Sequence, residues 1–117
     1  MPRFSPEHFA QVRLDDAMRR KHLDKGLRHL AEEGTVLLLY SDSLTGPVPV
    51  VGAVGQLQFE VLVDRLRRAY GVEVILDKLP FCAARWVRGP ETEIAKLAAG
   101  YGVRRVQDAD GLPMILF

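Results

Sequence analysis

The sequence predicts an α+β fold in which an antiparallel sheet carries two helices on one face. Two segments repeat apolar residues at three- and four-residue steps, which is the periodicity of amphipathic helices. Other segments alternate or cluster apolar residues as strands do. In chain order these segments read strand, helix, strand, strand, helix, strand, and that order predicts a ferredoxin-like split βαβ sandwich.

Composition limits the classes of protein to which the chain can belong. Its 117 residues, 48% hydrophobic and 26% charged, suit one globular domain. The net charge of +1 predicts no general affinity for nucleic acid. A lone cysteine, Cys82, excludes an internal disulfide framework. The opening MPRFSPEHF lacks the apolar core of a signal peptide and no apolar run reaches about 18 residues, so we expect a cytoplasmic protein with no membrane partner.

The first strand and helix follow from local patterns. Alternation from Phe9 to Leu14 predicts a strand with one face covered. Asp15 or Asp16 can cap the following helix. We expect Gly26, beside the apolar stripe, to mark close packing of this helix on the sheet, which would offset a propensity penalty of about 1 kcal/mol. The apolar stripe itself consists of Leu23, Leu27, Leu30 and Ala31.

The second and third strands are predicted at Thr35 to Tyr40 and at Pro47 to Ala53, joined by a turn over Ser41 to Gly46. The third strand is central in a split βαβ sandwich, yet its two prolines have no N–H to donate to a neighbouring strand. We therefore expect regular pairing only from about Val50 onward, with the proline end projecting past the sheet.

The centre of the chain predicts a strand that breaks at Gly52 and Gly55 in a tight turn, then a helix. The helix runs from Gln56 to Tyr70 and ends at Gly71, a residue able to take the left-handed conformation. A fourth strand starts at about Val72. The buried arc of this helix is predicted to consist of Phe59, Leu62, Val63, Leu66, Ala69 and Tyr70.

Residues 1–80 would then form the ferredoxin-like core of a single domain, and residues 81–117 a C-terminal extension of strand, helix and hairpin. Ala83 to Val87 suits a short strand. Pro90 and Glu91 open a helix, whose predicted buried stripe is Ile94, Leu97, Ala98 and Tyr101. Two further strands, Val103 to Gln107 and Leu112 to Phe117, flank a turn. Because the chain ends on the apolar PMILF, we expect a domain truncated within a longer protein.

Residues that commonly carry chemistry form no catalytic constellation in the sequence. His22 and His29 lie about 10 Å apart along one helix face, too far to share a metal ion. Cys82 has no partner typical of a nucleophile. A phosphate-binding GxxxxGK[ST] motif is missing from this sequence. We therefore expect neither catalysis nor a metal site in this chain.

Two surfaces are candidate contact sites. Leu57 and Val61 point away from the buried arc of their helix, which fits either an accidental pair or a contact with another domain or a partner. Two basic segments fit either a solvated surface or contact with RNA phosphates. Their cations are Arg19, Arg20, Lys21, Lys25, Arg28, Arg65, Arg67 and Arg68.

Three segments carry a resemblance to a known family. They are LDKGLRHLAEEG, VVGAVGQLQFEVLVDRLRRAYGVEV and FCAARWV. Together they resemble the C-terminal domain of bacterial peptide chain release factor 3, a translational GTPase, and FSPEHFAQVRL resembles the first strand of that domain. The central segment is also similar, more loosely, to the third domain of elongation factor G, where a GxGELH sequence occupies the place of GAVGQLQF.

The resemblance implies a non-catalytic part of a larger factor. In that family a GTPase domain and a β-barrel precede this region, so GTP and magnesium would belong to the parent protein and no cofactor to this chain. The complete factor removes class I release factors from the ribosome after peptide release. The resemblance further implies that this domain contacts the small ribosomal subunit and its RNA, and the GTPase and β-barrel domains of the same chain.

Two other classes remain alternatives on sequence grounds. A free-standing ferredoxin-like regulatory domain would bind a small molecule between the sheets of a dimer, and would need a pocket with convergent polar groups. A small RNA-binding module would need aromatic residues exposed on its sheet. The sequence places too few aromatic residues at suitable strand positions for the second class.

Overall fold

A computed structural model of the chain describes residues 6–41, 46–100 and 102–117. Within these ranges the chain forms seven strands and three α-helices, with a short 3-10 helix, Ala17–Arg19, before the first. The elements are β1 (His8–Leu14), α1 (Arg20–Glu32), β2 (Leu37–Ser41), β3 (Val48–Ala53), α2 (Gln56–Tyr70), β4 (Val74–Leu79), β5 (Ala84–Trp86), α3 (Glu91–Ala98), β6 (Arg104–Asp108) and β7 (Pro113–Leu116). Part of the predicted turn, residues 42–45, and Tyr101 of the predicted α3 stripe lie outside the described residues.

All seven described strands belong to one sheet of order β4-β1-β3-β2-β6-β7-β5, and each neighbouring pair is antiparallel. The first four strands have the order of a ferredoxin-like sandwich, so the predicted α+β class is confirmed. The C-terminal extension adds its three strands at the β2 edge. The junction between β2 and β6 is short, with Leu39 opposite Asp108 and Tyr40 opposite Gln107.

Helix α1 begins later than the sequence predicted, at Arg20, and its N-cap residue Arg19 makes no side-chain capping bond. The Asp16 side chain accepts a hydrogen bond from the backbone N–H of Met18 at 3.0 Å, which caps the 3-10 turn that leads into α1. Leu23, Leu27 and Leu30 are buried in the core. Each fully buried leucine contributes roughly 1.5 to 3 kcal/mol of hydrophobic stabilisation, so this stripe holds α1 on the sheet.

Gly26 packs against a different element from the one expected. A Cβ atom at Gly26 would lie 2.6 Å from Cδ2 of Leu66 and 3.0 Å from Cδ2 of Tyr70, both on α2. The close approach is therefore between the two helices and not between helix and sheet. The prediction identified the requirement for glycine but assigned it the wrong neighbour, because helical periodicity does not reveal which element lies beside a stripe.

The pairing of β3 corrects the expectation for its prolines. On the β2 side the ladder continues past Val50, with Pro49 opposite Tyr40 and Val48 opposite Ser41. On the β1 side the ladder stops where Gln11 faces Val50. Because Pro49 lies beyond the end of the β1 ladder, its missing N–H removes no bond from that pairing, and the strand stays regular.

Gly52 lies inside β3, so the strand does not break there as predicted. It stands opposite Phe9 of β1. A Cβ atom at this position would be 2.9 Å from Cε1 of Phe9 and 3.1 Å from Cβ of Pro6. The Phe9 ring thus occupies the space that a side chain would fill, and glycine permits this close contact.

Gly55 is the N-cap residue of α2, and its backbone is extended, with φ −139° and ψ 162°. The Gln58 side chain turns back and its Oε1 accepts hydrogen bonds from the N–H groups of Val54, at 2.7 Å, and of Gly55, at 3.3 Å. These bonds satisfy backbone donors at the helix start, as the glutamine of a capping box does.

Helix α2 has the predicted bounds and the predicted stop. Gly71 adopts a left-handed conformation with φ 64°. The N–H of Val72 then bonds to the carbonyl of Leu66 at 3.0 Å, which closes the helix end. Phe59, Leu62 and Leu66 are buried. Ala69, predicted to be buried, is exposed, and Val63 and Tyr70 are half-buried.

Two hydrophobic cores lie on opposite faces of the sheet. The first lies between the sheet and helices α1 and α2. The second combines Phe9, Leu39 and Val50 from the ferredoxin-like strands with Val106, Met114 and Leu116 from the extension. The sequence predicted one covered face for β1. The other face of β1 is covered only at Phe9, where residues of the extension pack, whereas Gln11 is half-buried and Arg13 exposed.

The extension follows its predicted order with one error. Pro90 stands at the N-cap of α3, and Glu91 and Glu93 lie in the first turn. Ile94 is buried, but Leu97 is 52% exposed, so the predicted stripe is narrower than expected. The hairpin turn is as predicted: Asp108 Oδ1 accepts from the N–H groups of Asp110 and Leu112, both at 2.9 Å.

Candidate interaction surfaces

The outward face of α1 carries three exposed cations, Lys21, Lys25 and Arg28. Their spacing of four and three residues places them within an arc of about 60° and along about 10 Å of the helix axis. This arc lies opposite the buried leucines of α1. Among the described residues, none of the three has a hydrogen-bond or ion-pair partner. We call these three residues the α1 cationic stripe.

The other two basic residues of this segment have intramolecular neighbours. Arg20 donates to the carbonyl of Pro47 at 2.8 Å and lies 3.4 Å from an Asp24 carboxylate oxygen. Arg19 lies at the C-terminal end of α2, where its Nη1 would be 3.6 Å from a Cβ atom on Gly71. Arg20 therefore helps to hold the start of α1 against the segment that leads into β3.

The basic residues of α2 are all engaged in ion pairs. Arg65 makes a two-pronged contact with Glu33 at the end of α1, one of its hydrogen bonds being 3.0 Å long. These hydrogen bonds hold the pKa of the Glu33 carboxyl below its ordinary value of 4.5. Arg67 and Arg68 lie 3.2 Å and 3.0 Å from the same carboxylate oxygen of Asp64. The structure thus separates the paired cations of α2 from the α1 cationic stripe.

An apolar surface extends along the outward side of α2. Leu57 is 70% exposed and Val61 41%, so both point away from the core as the helical spacing predicted. Val54, which the sequence analysis overlooked, is 42% exposed just before the helix begins. It precedes Leu57 by three residues, so extending the helical spacing upstream would have found it. We call Val54, Leu57 and Val61 the α2 apolar surface.

The seam between α1 and α2 contains a histidine and a tyrosine. The Nδ1 atom of His29 lies 2.7 Å from the Tyr70 hydroxyl, and the two rings are tilted with centroids 5.9 Å apart. This contact, with the Glu33–Arg65 pair, ties the two helices together at their polar edge. The role that the structure gives His29 is therefore contact with Tyr70 across the seam.

The extension has its own polar contacts, which sequence reasoning missed. Arg105 makes a two-pronged contact with Glu91 at the start of α3, one bond being 3.0 Å long, and this lowers the pKa of the Glu91 carboxyl from its ordinary value. The Arg104 guanidinium lies 5.6 Å from the centroid of the Phe81 ring. The Trp86 indole N–H donates to Asp108 at 2.9 Å. These contacts connect residues far apart in sequence, so no local sequence pattern predicts them.

In the parts of the chain that the structure describes, no three His, Cys, Asp or Glu side chains are grouped to hold a metal ion. Cys82 is exposed. Across the same residues, no helix has both the length and the apolar character that crossing a bilayer requires. The α1 cationic stripe and the α2 apolar surface are the candidate contact surfaces among the described residues.

Comparison with known proteins gives one consistent family. Residues 1–117 match the family described as "Class II release factor RF3, C-terminal domain". Relatives named peptide chain release factor 3 are 49% identical in Symbiobacterium thermophilum, 44% in Nostoc punctiforme and 42% in Synechococcus elongatus. Each of these alignments covers 100% of the chain but only 22%, 22% and 21% of the relative.

The chain therefore spans about a fifth of the length of these relatives. The overall identity to each of these three relatives is above 40%, and the alignments and the family match cover the whole chain. The resemblance in the three sequence segments is thus confirmed over the whole chain, which belongs to the C-terminal domain family of class II release factor RF3.

Proposed function

We propose that this chain serves as a non-catalytic domain of a GTPase that dissociates class I release factors from the ribosome after peptide release. The observation that carries the proposal is the family match over residues 1–117, together with relatives named peptide chain release factor 3. The domain supplies contact surfaces, and the parent protein's GTPase domain binds GTP and magnesium.

The α2 apolar surface is proposed as the contact with the GTPase or β-barrel domain of the same polypeptide. Leu57 and Val61 stand one helical turn apart on a rigid helix that is capped at both ends. Because the relatives are almost five times as long as this chain, most of their residues are available to cover such a surface.

The proposed mechanism is mechanical. The two cores share strands β1, β2 and β3, and we therefore expect the domain to move as one unit. If nucleotide hydrolysis in the GTPase domain changes how this unit is oriented, a small change at the nucleotide becomes a larger displacement at the ribosome-facing side. The proposed contacts with the small ribosomal subunit and its RNA come from among the eight basic residues that the sequence singled out in and around α1 and α2.

The proposal is tested in the full-length factor that contains this chain. Ribosomes carrying a bound class I release factor are mixed with the factor and GTP, and release-factor dissociation is followed over time. We expect dissociation with the intact factor and its loss when residues 1–117 are deleted. Equal dissociation without these residues, or GTP hydrolysis by the isolated chain, contradicts the proposal.

The interdomain contact has a separate test. In the full-length factor, the double change Leu57→Ser and Val61→Ser should increase proteolytic cleavage between domains and slow dissociation, because an apolar contact is lost. The stability of the isolated chain should stay within about 0.5 kcal/mol, since both side chains are exposed. The matched control is Leu97→Ser on α3, which is also exposed. Identical behaviour of the double variant and the control contradicts the contact.

A further inference from the structure

The eight basic residues of the two segments are not equivalent in the folded chain. Arg20, Arg65, Arg67 and Arg68 use their charge within the molecule. The α1 cationic stripe, Lys21, Lys25 and Arg28, does not, as far as the described residues go. Arg19 also has no ion pair among these residues, but it precedes α1 and lies beside Gly71, away from the stripe. An arginine that is already paired must share its carboxylate or leave it to contact a phosphate, whereas an unpaired cation gives up no existing contact, so the unpaired cations are favoured as the binding residues.

The neighbourhood of the stripe favours an anionic partner. Asp24, the acidic residue closest to it along α1, is already in contact with Arg20. Glu32, one turn beyond Arg28, marks the end of the stripe. The net charge of the whole chain is only +1, so attraction of an anion is local to this face.

The composition of the stripe distinguishes RNA from protein as the partner. Protein interfaces are depleted in lysine and have an apolar or aromatic centre. The outward arc of α1 from Lys21 to Arg28 has no apolar side chain, and two of its three cations are lysines. Lysine and arginine are also the side chains that commonly contact nucleic-acid phosphates.

We propose that Lys21, Lys25 and Arg28 form a phosphate-contact site for the sugar–phosphate backbone of ribosomal RNA. This inference rests on the proposed function, and it restricts the RNA contact to α1, leaving the arginines of α2 to structural roles. Because the stripe consists of three cations on one helix face, we expect it to contact phosphates without preference for base sequence, and its binding to depend strongly on salt.

The test measures binding of the 117-residue chain to purified small ribosomal subunits at several salt concentrations. The stripe variant is Lys21→Gln, Lys25→Gln and Arg28→Gln. The control variant is Lys78→Gln, Arg85→Gln and Arg88→Gln, which removes the same charge from three exposed cations elsewhere. The control should bind like the unmodified chain.

The stripe variant should bind about 100-fold more weakly at 0.1 M salt, with a slope of log affinity against log salt that is lower by about 2 to 3. The exchange Lys21→Arg, Lys25→Arg and Arg28→Lys should restore both values. Circular dichroism checks that every variant is folded.

Three outcomes overturn the inference and identify the cause. If the stripe and control variants bind alike while the unmodified chain binds well, the stripe residues are not the phosphate contacts, and the proposed function stands. If the stripe variant loses binding to subunits but both proteins bind protein-free small-subunit RNA equally, the partner is an acidic protein. If the unmodified chain binds neither subunits nor RNA, the inference and the proposed ribosome contact of this domain both fail.

Discussion

At the scale of single residues, Leu66 is packed most tightly against its neighbours in the seam between α1 and α2. It is fully buried on α2, and one of its methyl groups lies where a side chain at Gly26 would have to go. The residue therefore fills the first core and also sets the distance between α1 and α2. Helical spacing predicted its burial, and the structure adds the contact across the seam.

Leu66→Ala should lower the free energy of unfolding by about 2 to 5 kcal/mol, because it leaves a cavity between two helices and the sheet. Urea denaturation followed by circular dichroism measures the change. The matched control is Leu57→Ala on the outward side of the same helix, which should cost no more than about 0.5 kcal/mol. Equal costs for the two changes would contradict the orientation of α2.

Gly26→Ala tests the seam from its other side. The added Cβ would meet Leu66 at 2.6 Å, so overpacking should outweigh the gain in helix propensity and lower stability by about 1 kcal/mol. In a chain that already carries Leu66→Ala, the same change should instead raise stability, because the cavity accepts the new methyl group. Stabilisation by Gly26→Ala alone would show that the helices have room between them.

At the scale of elements, ion pairs between helix ends fix how α1 and α2 lie together. Arg65 reaches Glu33 across 32 positions of sequence, and Tyr70 contacts His29 across 41. Exposed pairs of this kind contribute modestly to stability, since water and salt screen them. Their larger effect is orientation, because a two-pronged contact constrains direction as well as distance.

The pH dependence of the Glu33–Arg65 pair has a definite sign. The Glu33 pKa is lower in the folded chain than its ordinary 4.5, so the pair's contribution is complete above 4.5 and is lost as the pH falls through the folded value. Glu33→Gln should therefore be less stable than the unmodified chain at pH 7, and the difference should shrink on acidification below 4.5. Denaturation midpoints between pH 3 and 7 measure it.

Glu32→Gln is the control for this experiment. Glu32 is also exposed and adjacent in sequence, but it has no ion-pair partner among the residues that the structure describes. Its stability difference from the unmodified chain should be near zero at every pH. A difference for Glu33→Gln that stays constant with pH would show that hydrogen-bond geometry, and not carboxylate charge, holds the two helix ends together.

At the scale of the whole molecule, the extension completes the fold. Without it, Phe9, Leu39 and Val50 would lie on an open face of the sheet, because their cover comes from Val106, Met114, Leu116 and neighbouring residues. The boundary that the sequence suggested at residue 80 therefore separates two groups of strands and helices in chain order, but the second core joins residues from both sides of it. We expect the two parts to unfold together.

Cooperative unfolding can be measured with two signals from the same sample. Trp86, the one tryptophan of the sequence, lies in the extension, while far-ultraviolet circular dichroism reports mainly α1 and α2. Both signals should change at the same denaturant concentration, as expected for a two-state transition. Met114→Ala should shift both midpoints equally. Helical signal that persists after the tryptophan signal has changed would separate the extension from the core.

Local interactions made much of this fold predictable. The periodicity from Gln56 to Tyr70 and the glycine stop at Gly71 depend on residues within a few positions of each other, and the structure has them as predicted. The sheet order of the first four strands was predicted from the succession of elements along the chain, although it pairs residues as distant as Phe9 and Leu79. The exposed pair on α2 was found in the same way, since the outward side of a helix follows from spacing alone. The family resemblance was equally local, because it rested on three continuous segments.

Tertiary structure alone decided the rest, because those features join residues that are distant in sequence. Periodicity could not show that Gly26 meets α2, or that the extension covers the Phe9 side of β1. It also could not divide the basic residues, since whether a cation is paired depends on which carboxylate the fold brings within about 4 Å. That division leaves Lys21, Lys25 and Arg28 as the unpaired cations that α1 directs outward.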